Sequence, residues 1–302
     1  MSYVQRIVCA VVIVMLAFVL GACASAARPA GAERPRGNEA PKFAVLAASD
    51  ERRTAALANW KAVVGEQSAE ASATPELRPV TATLNALPVG LRDFPRLPLV
   101  VAGDEKERTE EETRESLRRF LATAAPLLGT DLKSLSLVGV SDAPASGAGA
   151  KSALYQQNPF AYPLRNGYGL VRVTFTPDLR VVGLSSTAVP EGDRLARTLA
   201  AVPKTLNAAQ AAAALDNRAL TYTEADGTQR TRTVTPADTK QAQQLVVFPV
   251  RRDDAAATAL ELHVAWEVTV GESANAPLVF YVDAATGEVL GGAVGIGVPA
   301  VG

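Results

Sequence analysis

The chain has a single histidine, His263, and only two cysteines, Cys9 and Cys23, among its 302 residues. That scarcity excludes a good deal of chemistry. A tetrahedral zinc site built from nitrogen and sulfur ligands needs more histidine or cysteine than one subunit can supply. The His-Glu-x-x-His pattern of zinc proteases is absent. A Ser-His-Asp arrangement would have to use His263 as its base, and no Gly-x-Ser-x-Gly turn presents a serine. The stretch "GAGAKS" lacks the spacing of a phosphate-cradling loop. Charge is equally sparing: the formal net charge is −1, so no broad basic face invites nucleic acid. The sequence implies no cofactor and no small-molecule substrate.

Carboxylates are more plentiful. Glu110, Glu111 and Glu112 stand where a helix begins, so they read as partners of its positive end. Asp253 and Asp254 fall in a turn between strands, where solvated charge is the simplest reading. No loop has the spacing of an EF-hand.

The N-terminus reads as an address. "MSYVQR" carries one basic side chain, Arg6, and "IVCAVVIVMLAFVL" supplies fourteen apolar residues before "GAC". That order is the signature of a secretory signal, and the apolar core is shorter than the ~20 residues of a membrane-spanning helix. Leu20-Gly21-Ala22-Cys23 resembles the bacterial lipobox. The resemblance implies that Cys23 is lipidated and that residues 1–22 are removed. The alternative is an ordinary signal peptide cut near "ASA" at 24–26. With Cys23 lipidated and Cys9 removed, no disulfide can form. The setting is then the bacterial cell envelope, with the membrane reached through lipid. Residues 23–48, rich in Pro, Gly, Ala and charge, read as a flexible tether.

Residues 49–74 hold a helix, opened by Ser49 or Asp50, and a polar loop. Leu57, Trp60 and Val64 recur at helical spacing, and Gly65 closes the run. Alternation at Val80, Ala82 and Leu84 predicts a short strand. The clearest helix follows Thr109, which forms a capping-box pattern with Glu112. Leu117, Phe120, Leu121, Ala124 and Leu128 make its apolar face, and Gly129 ends it. "LKSLSLVGV" reads as a strand, and "VRVTFTPDLRVVGLSS" as a hairpin turned at "TPDL". Asn207 and Gln210 cap a second short helix. Three strands then close the chain: "QQLVVFPV", "ALELHVAWEVTV" and "PLVFYVDAATGEVLGG". In the second, the even positions from Leu260 to Val270 are apolar, whereas Glu261, His263, Glu267 and Thr269 share the other face. His263 therefore reads as a solvated residue on a wet face. Helices and strands mix without regular alternation, so the expected class is α+β, with antiparallel sheets and packed helices. Tyr155, Phe160, Tyr162 and Tyr168 crowd one segment. They serve either as packing residues or as an exposed patch for a protein partner.

The last three strands resemble, as a set, the PepSY module of thermolysin-like protease propeptides. The "YVDAATGEVL" match is nearly unbroken, and it has a physical reason. Asp283 can bind the turn backbone, and Gly287 permits the positive φ that reverses the chain. The capped helix, "YQQ" at 155–157 and the following hairpin resemble the fungalysin/thermolysin propeptide module, although the glycines flanking Pro163-Leu164 do not line up with it. The resemblance implies an FTP-like segment at 75–200, a PepSY-like segment at 201–292 and a tail at 293–302. Propeptides of this kind guide the folding of a catalytic domain and inhibit it, and the expectation here is that the module stands without one. The expectation is thus a non-catalytic lipoprotein that inhibits or chaperones a thermolysin-like metalloprotease in trans. Two alternatives stay open: an envelope interaction lipoprotein with no protease link, and the truncated pro-half of such a protease.

Overall fold

A computed structural model describes residues 40–65, 73–88, 91, 95–100, 109–224, 226–253, 258–271 and 277–294. Cys23 and the proposed signal lie outside them. The fold is α+β: the described residues form four α-helices, an antiparallel four-stranded sheet and a seven-stranded sheet that is antiparallel but for one parallel pairing. Residues from Ala40 onward belong to one unit.

The first sheet runs in the order β4-β5-β6-β7: β4 is Leu135–Asp142, β5 Lys151–Gln157, β6 Leu170–Phe175 and β7 Val181–Ser186. Its apolar face carries Ala153, Tyr155, Val171 and Val173, which pack under Leu117, Phe120 and Leu121 of helix α2, Glu110–Leu128. Trp60 and Val64 of helix α1, Asp50–Gly65, complete this core. Each fully buried leucine or phenylalanine here contributes about 1.5–3 kcal/mol through burial. The ends of α2 follow the sequence closely. Thr109 accepts from the Glu112 amide at 3.2 Å, the Glu112 carboxylate accepts from the Thr109 amide at 2.9 Å, and Gly129 ends the helix at φ +70°.

The second sheet has seven strands in the order β1-β11-β12-β13-β8-β9, with β10 on the other edge of β11. Here β1 is Ala44–Ala47, β8 Arg218–Thr223, β9 Gln229–Val234, β10 Lys240–Asp253, β11 Thr258–Val270, β12 Leu278–Asp283 and β13 Val289–Val294. Leu260, Leu262 and Val264 face Leu195 and Leu199 of helix α3, Gly192–Ala200. Val268, Val270, Phe280 and Val282 face Ala211 and Leu215, in and just after helix α4, Ala208–Ala213.

Several expectations change. The tether does not reach residue 48: Ala44 and Leu46 are buried, and β1 pairs with β11 from Ala44 opposite Leu262 to Ala47 opposite Ala259. A four-residue strand with period-two burial is too short to stand out from an alanine-rich run. Helix α3 packs on the second sheet, so the boundary at 200 does not separate the two packing units. Val80 and Ala82 belong to a turn, where Ala82 takes φ +54° between the short strands β2, Glu76–Leu77, and β3, Leu84–Ala86. Strands β8 and β9, rich in threonine and arginine, carry too little apolar alternation to be read from sequence.

Candidate functional site

Strand β11 organises the most unusual cluster of polar side chains. Along one edge it pairs with β10 throughout. Along the other it pairs with β1 as far as Leu262, then with β12 from Ala265. His263 sits at that fork. Its side chain lies on the face expected to be wet, yet it is only 1% exposed. This corrects the reading of a solvated strand residue. The sheet curls about this face: Phe248 of β10 stacks on Tyr281 of β12, with ring centroids 4.4 Å apart, and a Cβ at Gly291 on β13 would lie 3.1 Å from the Phe248 ring. Phe43, just before β1, covers the imidazole at 4.8 Å between ring centroids.

Both ring nitrogens face carboxylates. Nδ1 lies 2.6 Å from Oδ2 of Asp283, itself 1% exposed, and Nε2 lies 3.4 Å from Oε2 of Glu261. Arg252 Nε donates to the same Glu261 oxygen at 2.9 Å. The other oxygen of Asp283 accepts the amides of Ala285 and Thr286, each at 2.8 Å. Burial disfavours the imidazolium, but the hydrogen bonds and charges of Asp283 and Glu261 outweigh it and hold the His263 pKa above its ordinary value. Burial likewise works against ionised Asp283. Its bond to His263 and the two turn amides outweigh that and hold its pKa low. Charges alternate along Arg252, Glu261, His263 and Asp283, which offsets much of the cost of burying them.

This arrangement is built to hold strands together. The His263–Asp283 pair joins β11 to the end of β12, and the turn that follows docks on the segment before α4. There the Thr205 and Leu206 amides donate to the Ala284 carbonyl at 2.9 and 3.0 Å, and Trp266 Nε1 donates to the Leu206 carbonyl at 2.9 Å. Among the described residues, the imidazole's hydrogen-bond partners are the two carboxylates. Among the described residues no group of His, Cys, Asp and Glu is placed to hold a metal ion.

The residues singled out from sequence are distributed as follows. Asp283 binds the turn and Gly287 adopts φ +74°, as expected of them, but Asp283 also carries the bond to His263. The four aromatic residues do not form one exposed patch. Tyr155 is buried in the core of the first sheet, where burial pushes its phenol pKa up to about 12. Phe160, Tyr162 and Tyr168 pack half-buried against the core of the second sheet. The reason is that Pro163 and Arg165 hydrogen-bond to Val247 of β10, which turns this loop inward.

A second polar hub lies where the sheets meet, and sequence reasoning missed it. Glu191, the residue before α3, has φ +60° and binds both Arg52 and Arg194. Arg52 also donates to the carbonyls of Ala47 and Val80, at 3.1 and 2.9 Å. Clefts of about 380 and 560 Å³ flank the Pro190-Glu191 strap. No sequence pattern marks this hub, because its central pair, Arg52 and Glu191, lies 139 residues apart.

Among the described residues no helix is long and apolar enough to cross a membrane. Scanned against models of protein families, the chain matches none. A search of curated proteins finds no match either.

Proposed function

We propose that this chain is a non-catalytic, propeptide-like binding protein, carried by lipid on Cys23 to the bacterial cell envelope, where it inhibits or chaperones a thermolysin-like metalloprotease in trans. The reading rests on one feature, the "YVDAATGEVL" hairpin and its likeness to the propeptide pattern. The use of the one histidine as a buried strand-to-strand brace supports a binding role over a catalytic one.

Titrating the purified protein against a panel of thermolysin-like proteases tests the proposal. The expected result is saturable inhibition, or a higher yield of refolded protease, for at least one member. Absence of binding to every member at micromolar concentration overturns it.

A further inference from the structure

An exposed strand edge offers unpaired backbone groups to any other strand, so folds usually close or guard their edges. Among the described residues, four of its sheet edges carry some such guard. The outward carbonyls of β1, at Val45 and Ala47, accept from Arg194 and Arg52. Strand β7 is covered by Pro95 and Leu97, which bond across to Val181 and Leu179. Strand β10 is met by the segment at 163–165. Strand β9 carries Arg230 and Arg232, each ion-paired.

The outer edge of β4 has no such guard among the described residues. Ser136, Val138, Gly139 and Ser141 are exposed, with Val138 at 61%. No charged residue interrupts 135–141. On the core side Leu135, Leu137 and Val140 are only partly buried, so the first core has an open apolar rim.

The strand is also matched to itself. Around the irregularity at Val138, residues 136–141 read Ser-Leu-Val-Gly-Val-Ser, which from either end begins with a serine followed by a branched aliphatic residue. The register shift between Leu137 and Gly139 keeps Leu137 and Val140 on the core side, opposite Tyr155 and Ala153. Antiparallel pairing of two copies about this point sets Leu137 against Val140 and Ser136 against Ser141. Backbone phase agrees. Ser134 accepts from Asn158 and the Ala143 amide donates to Ala150, so alternation turns the backbone groups of Leu137 and Val140 outward. The basic start of one strand, at Lys133, is brought toward the acidic end of the other, at Asp142. A two-fold interface requires this kind of self-complementarity.

We infer that the outer edge of β4 pairs with the same edge of a second copy of this chain, joining two four-stranded sheets into one of eight strands. The contact is one strand wide, so the association is weak and concentration-dependent. Self-pairing requires no protease and stands apart from the proposed inhibition.

Sedimentation of the full chain in mild detergent over a concentration series tests this pairing. The wild type shifts from monomer to dimer, and Val138→Lys, at an exposed position, weakens that shift by about tenfold or more through like charges facing across the axis. A second measurement uses full chains with Cys9→Ser and Cys23→Ser. Oxidation then traps a dimer of Val138→Cys faster than one of Gln229→Cys on the guarded edge of β9. Self-pairing is overturned if the wild type stays monomeric at every concentration, if Val138→Lys dimerises like the wild type, or if the two cysteine variants cross-link at the same rate. It is also overturned if β4 binds only a different protein's extended segment while the chain itself stays monomeric.

Discussion

His263 and Asp283 form a buried hydrogen-bonded pair at 2.6 Å, at the point where β11 passes from pairing with β1 to pairing with β12. The aspartate of the "VDAATG" turn therefore does two things: one oxygen shapes the turn, and the other holds the neighbouring strand.

Removing either member strands the other. Asp283→Ala is expected to destabilise the fold by about 3–5 kcal/mol, because it leaves a buried imidazolium beside unsatisfied turn amides. Replacing His263 with glutamine costs less, since the amide can still donate to Asp283. Urea denaturation of both variants checks this order.

The pair also predicts how stability varies with pH. The folded pKa of His263 is raised above 6.5, so its contribution is fully present below pH 6.5 and is lost as pH rises through the folded value. The folded pKa of Asp283 is lowered below 3.8, so its contribution is present above pH 3.8 and is lost as pH falls through the folded value. The pair contributes most between these limits. Denaturation midpoints measured across this range and on either side of it should fall at both ends, and His263→Gln should flatten the alkaline side.

Two glycines with positive φ should differ in tolerance. Gly287, at φ +74°, leaves a Cβ 3.3 Å from Leu206, and alanine there should cost about 1–2 kcal/mol from backbone strain. At Gly129, φ +70°, a Cβ would lie 2.4 Å from Thr83 Cγ2. Gly129→Ala is expected to lower the melting temperature more than Gly287→Ala.

Strand β1 can be tested through Leu46, which is fully buried under α3. Leu46→Ala should destabilise by about 2–5 kcal/mol. If residues 23–48 were a free tether, the same change would leave the denaturation midpoint unmoved.

Elements whose ends are set locally were legible in the sequence. Helix α2 has both caps written into it, at Thr109–Glu112 and Gly129, and the β6–β7 hairpin follows its own alternation. The closing turn was legible for the same reason. What could not be read depends on partners distant in sequence. Four apolar residues become β1 only because β11 has a free edge beside them. His263 lies on the polar register of its strand, and only the curl of the sheet, Phe43 and the facing carboxylates make that position buried. The paired value of Asp283 was half visible: its turn role is local, and its bond spans twenty residues of sequence.

The position of β1 has a mechanical consequence. The chain enters the fold through this strand, antiparallel to β11, with Arg52 and Arg194 gripping its outer carbonyls. Tension applied from the N-terminal side along the strand axis therefore loads these bonds together, in shear, rather than peeling them one at a time. Phe43, which covers the imidazole of His263, lies at the N-terminal end of this strand, so force at the N-terminus and acid–base chemistry at the fork act on the same joint.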